Sequence, residues 1–140
     1  PHMRALIDTC VVIDALQSRE PFCKEAQALF LCAANGQFDG FITAKSSTDI
    51  YYLTHRCTHS DSDSREVLRR IFILFELMDT AGMDCRRALV SAMADYEDAV
   101  MVESALRAGM DCIVTRDTKD YAKSPVPICR PAEFLRQVSV

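Results

Sequence analysis

Asp111-Cys112-Ile113-Val114-Thr115-Arg116-Asp117 is the stretch whose reading settles the architecture. Its short run of apolar residues, bounded by charge, is too brief for a helix and reads as a strand buried on both faces, ending at Arg116-Asp117. Strands buried on both faces belong to parallel sheets covered by helices.

Working outward, helical patterns flank this strand. Asp95 opens a helix that runs to Ala108 before Gly109, and Asp84 opens a shorter one through Val90 and Ser91. On the other side come an extended piece around Ile128 and a last helix from Pro131 to Val138. Nearer the start, Arg4-Ala5-Leu6-Ile7 reads as a strand ending at Asp8. A helix from about Pro21 to Asn35 follows, stopped by Gly36, and Gly40-Phe41-Ile42-Thr43 is a second strand. Ser46, Ser47 and Thr48 are candidate caps for a helix carrying Asp49, Ile50, Tyr52 and Leu53. His59 to Ser64 reads as a loop, Arg65 to Phe75 as a helix and Glu76 to Asp79 as a strand. Strands alternating with helices predict β-α-β units and a mainly parallel sheet.

Length and composition fit one globular domain over residues 3–140, with Pro1 and His2 reading as a cloning remnant ahead of Met3. The 140 residues are 49% hydrophobic and 26% charged, which excludes a disordered or fibrous chain. No apolar run is long enough to cross a bilayer and no secretory leader is present, so a cytoplasmic location without membrane partners is expected. Seven scattered cysteines form no Cys-x-x-Cys pair and sit mostly among apolar neighbours, as reduced small hydrophobes do. His55 and His59 share metal-ligand spacing, but with no further ligand pattern they read as a polar helix end. The net charge of −4 argues against gripping nucleic acid by bulk electrostatics, yet is compatible with an enzyme whose carboxylates hold divalent cations.

In an open parallel sheet, ligands bind beyond the carboxyl ends of the strands. Asp8 and Asp117 both fall there, although each taken singly is as well explained as a turn or cap residue. Asp98 is more telling, because it shares a helical face with Met101, Val102, Ala105 and Leu106, and a carboxylate in line with a core stripe is costly unless paired or bound to metal. Asp49 aligns with Tyr52 and Leu53 and so points toward the crevice. Asp95 fits a helix cap slightly better than a catalytic acid. Acids gathered in one pocket raise each other's pKa values, and a hard divalent cation removes that penalty. No glycine-rich phosphate loop and no convincing Ser-His-Asp or Cys-His arrangement competes.

Four ordered motifs carry a family resemblance. They are Leu6-Ile7-Asp8-Thr9-Cys10-Val11-Val12-Ile13-Asp14, Ser47-Thr48-Asp49-Ile50-Tyr51-Tyr52-Leu53, Asp95-Tyr96-Glu97-Asp98-Ala99 and Val114-Thr115-Arg116-Asp117-Thr118-Lys119-Asp120-Tyr121. Together, from Met3 to about Gln137, they resemble the PIN domain, and within it bacterial ribonucleases of the VapC toxin type. The resemblance implies a three-layer α/β/α fold with a mainly parallel central sheet of four or five strands. It also implies a Mg2+- or Mn2+-dependent endoribonuclease acting on structured RNA, frequent homodimers, and a small antitoxin protein that blocks the groove in toxin members.

Position by position, Asp8, Asp98 and Asp117 match the family's metal-binding acids, and Asp49 falls where the family more often has glutamate. Asp95 and Asp120 match auxiliary acids, Thr115 the small hydroxyl residue beside the site, and Arg116 and Lys119 positions able to contact phosphate. Two other classes are weighed against the nuclease. A catalytically weak PIN-fold module binding RNA or protein partners suits the acidic charge, but the complete acid set argues against it. A phospho-accepting receiver domain fits poorly, because Asp49 lies in a helical pattern and not at a strand end.

Overall fold

The structure is a computed structural model, described over residues 2–138; Ser139 and Val140, the end of the expected domain, lie outside the described residues. Five parallel strands form one sheet. They are β1 (Arg4–Ile7), β2 (Asp39–Thr43), β3 (Glu76–Met78), β4 (Cys112–Val114) and β5 (Ile128–Cys129), in the spatial order β3-β2-β1-β4-β5. The register sets Leu6 beside both Phe41 and Ile113, so β1 and β4 are hydrogen-bonded neighbours at the middle of the sheet.

Side-chain alternation along the strands separates two cores. On one face Ala5, Ile7, Ile42, Cys112 and Val114 pack with residues of helices α1 (Thr9–Leu16), α2 (Cys23–Ala34), α3 (Ala44–Thr58), α4 (Asp61–Leu74) and α7 (Pro131–Val138). On the other face Leu6, Phe41 and Ile113 pack with Val102 and Ala105 of helix α6 (Tyr96–Arg107), and helix α5 (Gly82–Ala88) joins α6 through Ala88, Ala99 and Val100. This is the expected three-layer α/β/α arrangement, and apolar residues on both faces of the central strands β2, β1 and β4 are its cause.

Several boundaries depart from the periodicity. Helix α1 is not marked by it, because Thr9-Cys10-Val11-Val12-Ile13 is rich in β-branched residues, which have low helix propensity. Burial of Val11, Val12 and Ile13 against the sheet overrides that propensity. Helix α3 starts ahead of the expected caps, since Thr43 at the end of β2 accepts a hydrogen bond from the Ser46 amide at 3.1 Å. The loop expected from His59 to Ser64 shrinks to two residues. His59 ends α3 in the left-handed region at φ 54°, and the Ser60 hydroxyl caps α4 by accepting from the Asp63 amide.

Asp84 does not open α5 but lies in its first turn, fully buried, accepting a bidentate contact from Arg107, Nε to Oδ1 at 2.9 Å and Nη2 to Oδ2 at 3.0 Å. The Arg107 contact, the Ala81 amide and the Ser104 hydroxyl together outweigh burial and hold the Asp84 pKa below the usual value. Gly40 is required by packing: a Cβ there would stand 2.6 Å from the Phe75 ring, which fills the space over β2. Among the described residues no helix is long and apolar enough to cross a membrane, and no disulfide joins the seven cysteines.

Candidate active site

The pairing of β1 with β4 brings Asp8 and Asp117 to the same end of the sheet. The Asp8 amide donates to the carbonyl of Val114 at 3.0 Å, extending the ladder by one bond, and the chain then turns into α1. Thr115, fully buried one residue past β4, donates its hydroxyl to Asp8 Oδ2 at 2.8 Å and accepts from the Asp117 amide at 3.1 Å. One hydroxyl therefore aims the first acid and fixes the turn that carries the second. Oxygens of Asp8 and Asp117 and the sulfur of Cys10 all lie within 4.8 Å of one another, a spacing that one cation can bridge.

Asp98 enters from the opposite layer. It stands in the first turn of α6, its amide capped by Asp95 Oδ1 at 2.9 Å. The hydroxyl of Tyr121, on the 3-10 turn Thr118–Tyr121, donates to Asp98 Oδ1 at 3.1 Å and also lies 3.5 Å from Asp8 Oδ2. Asp8 thus belongs to two overlapping pairs, one with Asp117 and one with Asp98. Burial pushes the Asp98 pKa up to about 6, helped by the neighbouring charges of Asp95, Asp8 and Asp120. Burial also raises that of Asp8, against the lowering pull of its Thr115 and Cys10 hydrogen bonds. The Cys10 thiol is pushed up to about 12, first by burial and then by Asp8, so without a metal it is protonated at neutral pH and acts as a weak donor.

These acids open on a cleft of about 290 Å³ walled by Asp8, Thr43, Lys45, Asp49, Glu97 and Asp98. With the geometry in hand, comparison with known proteins is decisive: the sequence profile of the PIN domain matches residues 4–119. The chain belongs to the PIN-domain family.

The fold agrees with it. A toxin-antitoxin complex from Klebsiella pneumoniae contains a chain with TM-score 0.66 and 20% identity, the match covering 91% of this chain and 97% of that one. FitAcB from Neisseria gonorrhoeae gives 0.68 and 16%, covering 91% and 98%. DNA-bound VapBC from Salmonella typhimurium gives 0.66 and 14%, covering 92% and 98%. No curated protein matches the sequence.

Within this PIN domain the sequence-predicted residues divide. Asp8, Asp98 and Asp49 line the cleft; Asp117 does not line it but stands beside Asp8, and Asp98 is not part of the cluster formed by Asp8, Cys10 and Asp117 among the described residues. Asp49 is half exposed and its Oδ2 faces Lys45 Nζ at 3.9 Å, one helical turn away. Asp95 serves as the cap of α6, and Asp120 is exposed on the 3-10 turn, reaching Asp98 only through its charge. Arg116 is drawn away from solvent: its Nε donates to the buried Asp14 at 2.7 Å, and its Nη1 stands 3.6 Å from Asp117. Lys119 is exposed.

Pattern reading assigned no part to Tyr121, Cys10, Lys45 or Glu97. Tyr121 lies at the end of a quoted motif, but its 3-10 turn has no periodicity that would aim the ring at Asp98. Lys45 donates to Glu97 at 3.0 Å across the cleft, joining α3 to α6, a contact between residues 52 apart that no local pattern signals.

Proposed function

We propose that this PIN domain is a divalent-metal-dependent endoribonuclease that hydrolyses RNA phosphodiester bonds, with Asp8, Asp98 and Asp117 holding Mg2+ or Mn2+. The observation that carries the reading is the pairing of Asp98 and Asp8 around one hydroxyl, with the pKa of each raised from its ordinary value, that of Asp98 to about 6. Such a site is electrostatically unfavourable as it stands. The donors are carboxylate oxygens, the ligand type that magnesium and manganese prefer, so these residues fit a hard cation. When bound, such an ion supplies Lewis acidity toward the phosphoryl oxygen and a lowered pKa for water.

The remaining work falls to the chain. Thr115 and Tyr121 keep Asp8 and Asp98 oriented, so no side-chain reorganisation is needed at the reacting phosphate. Asp49, on the cleft wall, is positioned to accept a proton from the attacking water at Oδ2 as the phosphorus–oxygen bond to the leaving group breaks. Lys45, held between Glu97 and Asp49, offers a positive charge to the substrate backbone. Sequence membership in the family supports nuclease chemistry, and the fold shared with chains of toxin-antitoxin complexes supports a small antitoxin as partner. Exposed apolar Phe72, Ile73 and Leu77 support pairing of two copies.

Cleavage of labelled structured RNAs with Mg2+ or Mn2+ tests the reading. The parent is expected to cut only with metal, and Asp8→Asn and Asp98→Asn each to lose at least about a hundredfold in rate, in line with removal of a principal electrostatic element. Undiminished cutting by either variant, or cutting in chelator, would remove the assignment.

A further inference from the structure

A second cleft, of about 560 Å³, begins where the acidic site ends. Asp117 lines it together with Phe22, Glu25, Arg130 and Arg116, whose buried partner Asp14 also reaches its surface. We propose that this cleft is a nucleoside subsite, holding one nucleotide of the RNA strand next to the scissile phosphate; the proposal rests on the nuclease reading above.

Three observations converge on it. The first is continuity, since an oxygen of Asp117 lies within 4.8 Å of one from Asp8, so a strand with its phosphate at the acids has its neighbouring nucleotide at the cleft mouth. The second is chemistry suited to a base. Phe22 is 40% exposed, and the Arg116 guanidinium lies over its ring at 4.3 Å from the centroid. Guanidinium planes and aromatic rings are the surfaces on which unstacked RNA bases settle. Arg116 is held for that purpose by Asp14, which is 1% exposed and takes its Nε at 2.7 Å.

The third observation is charge. Arg116 is matched by Asp14, while Lys119 and Arg130 have no carboxylate partner within ion-pair distance among the described residues. Arg130 donates Nη2 to Thr118 at 3.1 Å, which draws it to the rim shared with Lys119. Those two cations suit the phosphate that follows the bound nucleoside. Glu25 offers only acceptor oxygens and so suits a ribose hydroxyl or a base amino group, not a second phosphate.

The test uses the full chain with cytidine 5′-monophosphate, adenosine 5′-monophosphate and inorganic phosphate as probes, followed by amide and aromatic NMR in chelator. The mononucleotides are expected to shift signals of Phe22, Arg130 and Ala132, with phosphate alone shifting only those of Arg130 and Lys119. Phe22→Leu, which keeps an apolar side chain but removes the ring, and Arg130→Ala are each expected to weaken mononucleotide binding at least fivefold. In RNA cleavage the same variants should raise KM five- to tenfold with kcat within about twofold of the parent.

Signals confined to the Asp8–Asp98 cleft, or unchanged affinity in both variants, would overturn the subsite. Failure of the two ideas is separable. RNA cleavage by a parent whose KM ignores both substitutions retains the nuclease and removes the subsite. Mononucleotide binding at Phe22 and Arg130 in a protein that cuts no RNA retains the nucleotide cleft and removes the nuclease.

Discussion

The hydroxyl of Tyr121 donates to Asp98 Oδ1 at 3.1 Å while standing 3.5 Å from Asp8 Oδ2, so a ring that is 2% exposed spans two acids from opposite layers of the fold. Its own pKa is raised, first by burial and then by the charges of Asp8 and Asp98, which keeps the proton on the phenol. Tyr121→Phe removes the one donor the two acids share. A hydrogen bond to a charged acceptor, partly replaced by cleft water, is worth about 1 kcal/mol. The unfolding midpoint in chelator is therefore expected to fall by about 3 to 5 °C. RNA cleavage should fall roughly tenfold as Asp98 loses its fixed orientation, a moderate loss for a positioning contact. A variant with the parent's rate and midpoint would show that the hydroxyl orients nothing.

Asp98 gives the protein a pH-dependent stability of a particular sign. Its folded pKa of about 6 lies above the ordinary 3.8, so the folded state holds the proton more tightly than the unfolded chain does. Its contribution is fully favourable below pH 3.8 and is lost as the pH rises through 6. In chelator, Asp98→Asn is expected to raise the unfolding midpoint at pH 8 and to have much less effect at pH 5, where the parent carboxyl is largely protonated. Saturating Mg2+ should reverse the order at pH 8 by stabilising the parent alone. Differential scanning fluorimetry at the two pH values decides it, and a midpoint for Asp98→Asn below that of the parent at pH 8 in chelator would count against crowding of the acids.

What the sequence made legible follows the range of the interactions. Strand ends were readable because a short apolar run ending in aspartate is a local signal; the pairing of β1 with β4 sets Asp8 beside Asp117, and Asp98 is linked to Asp8 through the Tyr121 hydroxyl. Helix α1 was not, because its β-branched residues favour a strand until the sheet buries them. Tyr121 and the Lys45–Glu97 bridge were invisible for a different reason: each joins segments 20 or more residues apart, and nothing in the spacing of either segment encodes the partner. For Arg116 the motif position leaves a phosphate contact and a solvated surface charge equally open, and no local pattern separates either from a buried ion pair. Its diversion to Asp14 depends on a buried carboxylate from the very helix that periodicity failed to mark.

The buried pair of Asp84 and Arg107 ties α5 to α6 and so supports the helix that carries Asp98. Asp84 is 0% exposed and Arg107 also donates to the Asp79 carbonyl at 2.9 Å. Arg107→Ala strands a buried charge, a loss of about 3 to 5 kcal/mol, so the midpoint at pH 7 should fall by about 10 °C or more. The sign with pH is opposite to that of Asp98. Because the Asp84 pKa is lowered, its contribution is present above the ordinary 3.8 and is lost as the pH falls through the lower folded value. In Arg107→Ala the main opposing influence on Asp84 is gone and burial raises its pKa. Protonation then relieves the stranded charge, so the gap between variant and parent should narrow near pH 4. A gap that is constant from pH 4 to pH 7 would show that lost packing, not the stranded charge, is responsible.

Asp95 can be assigned by a pair of substitutions that separate its cap from its charge. Its Oδ1 accepts from the Asp98 amide at 2.9 Å, a bond that asparagine reproduces and alanine does not. Asp95→Asn is expected to keep the midpoint within about 1 °C of the parent, since the cap contributes about 1 kcal/mol and is retained. It should also lower the Asp98 pKa, because the Asp95 charge is the second cause raising it. Metal-dependent RNA cleavage by this variant should stay within about threefold of the parent, with the acid limb of its pH profile moved toward lower pH. Asp95→Ala loses the cap, about 1 kcal/mol and about 3 to 5 °C, along with the fixed start of the helix that aims Asp98. If Asp95→Asn instead loses as much activity as Asp98→Asn, the carboxylate acts on the reaction itself and its role as a helix cap is secondary.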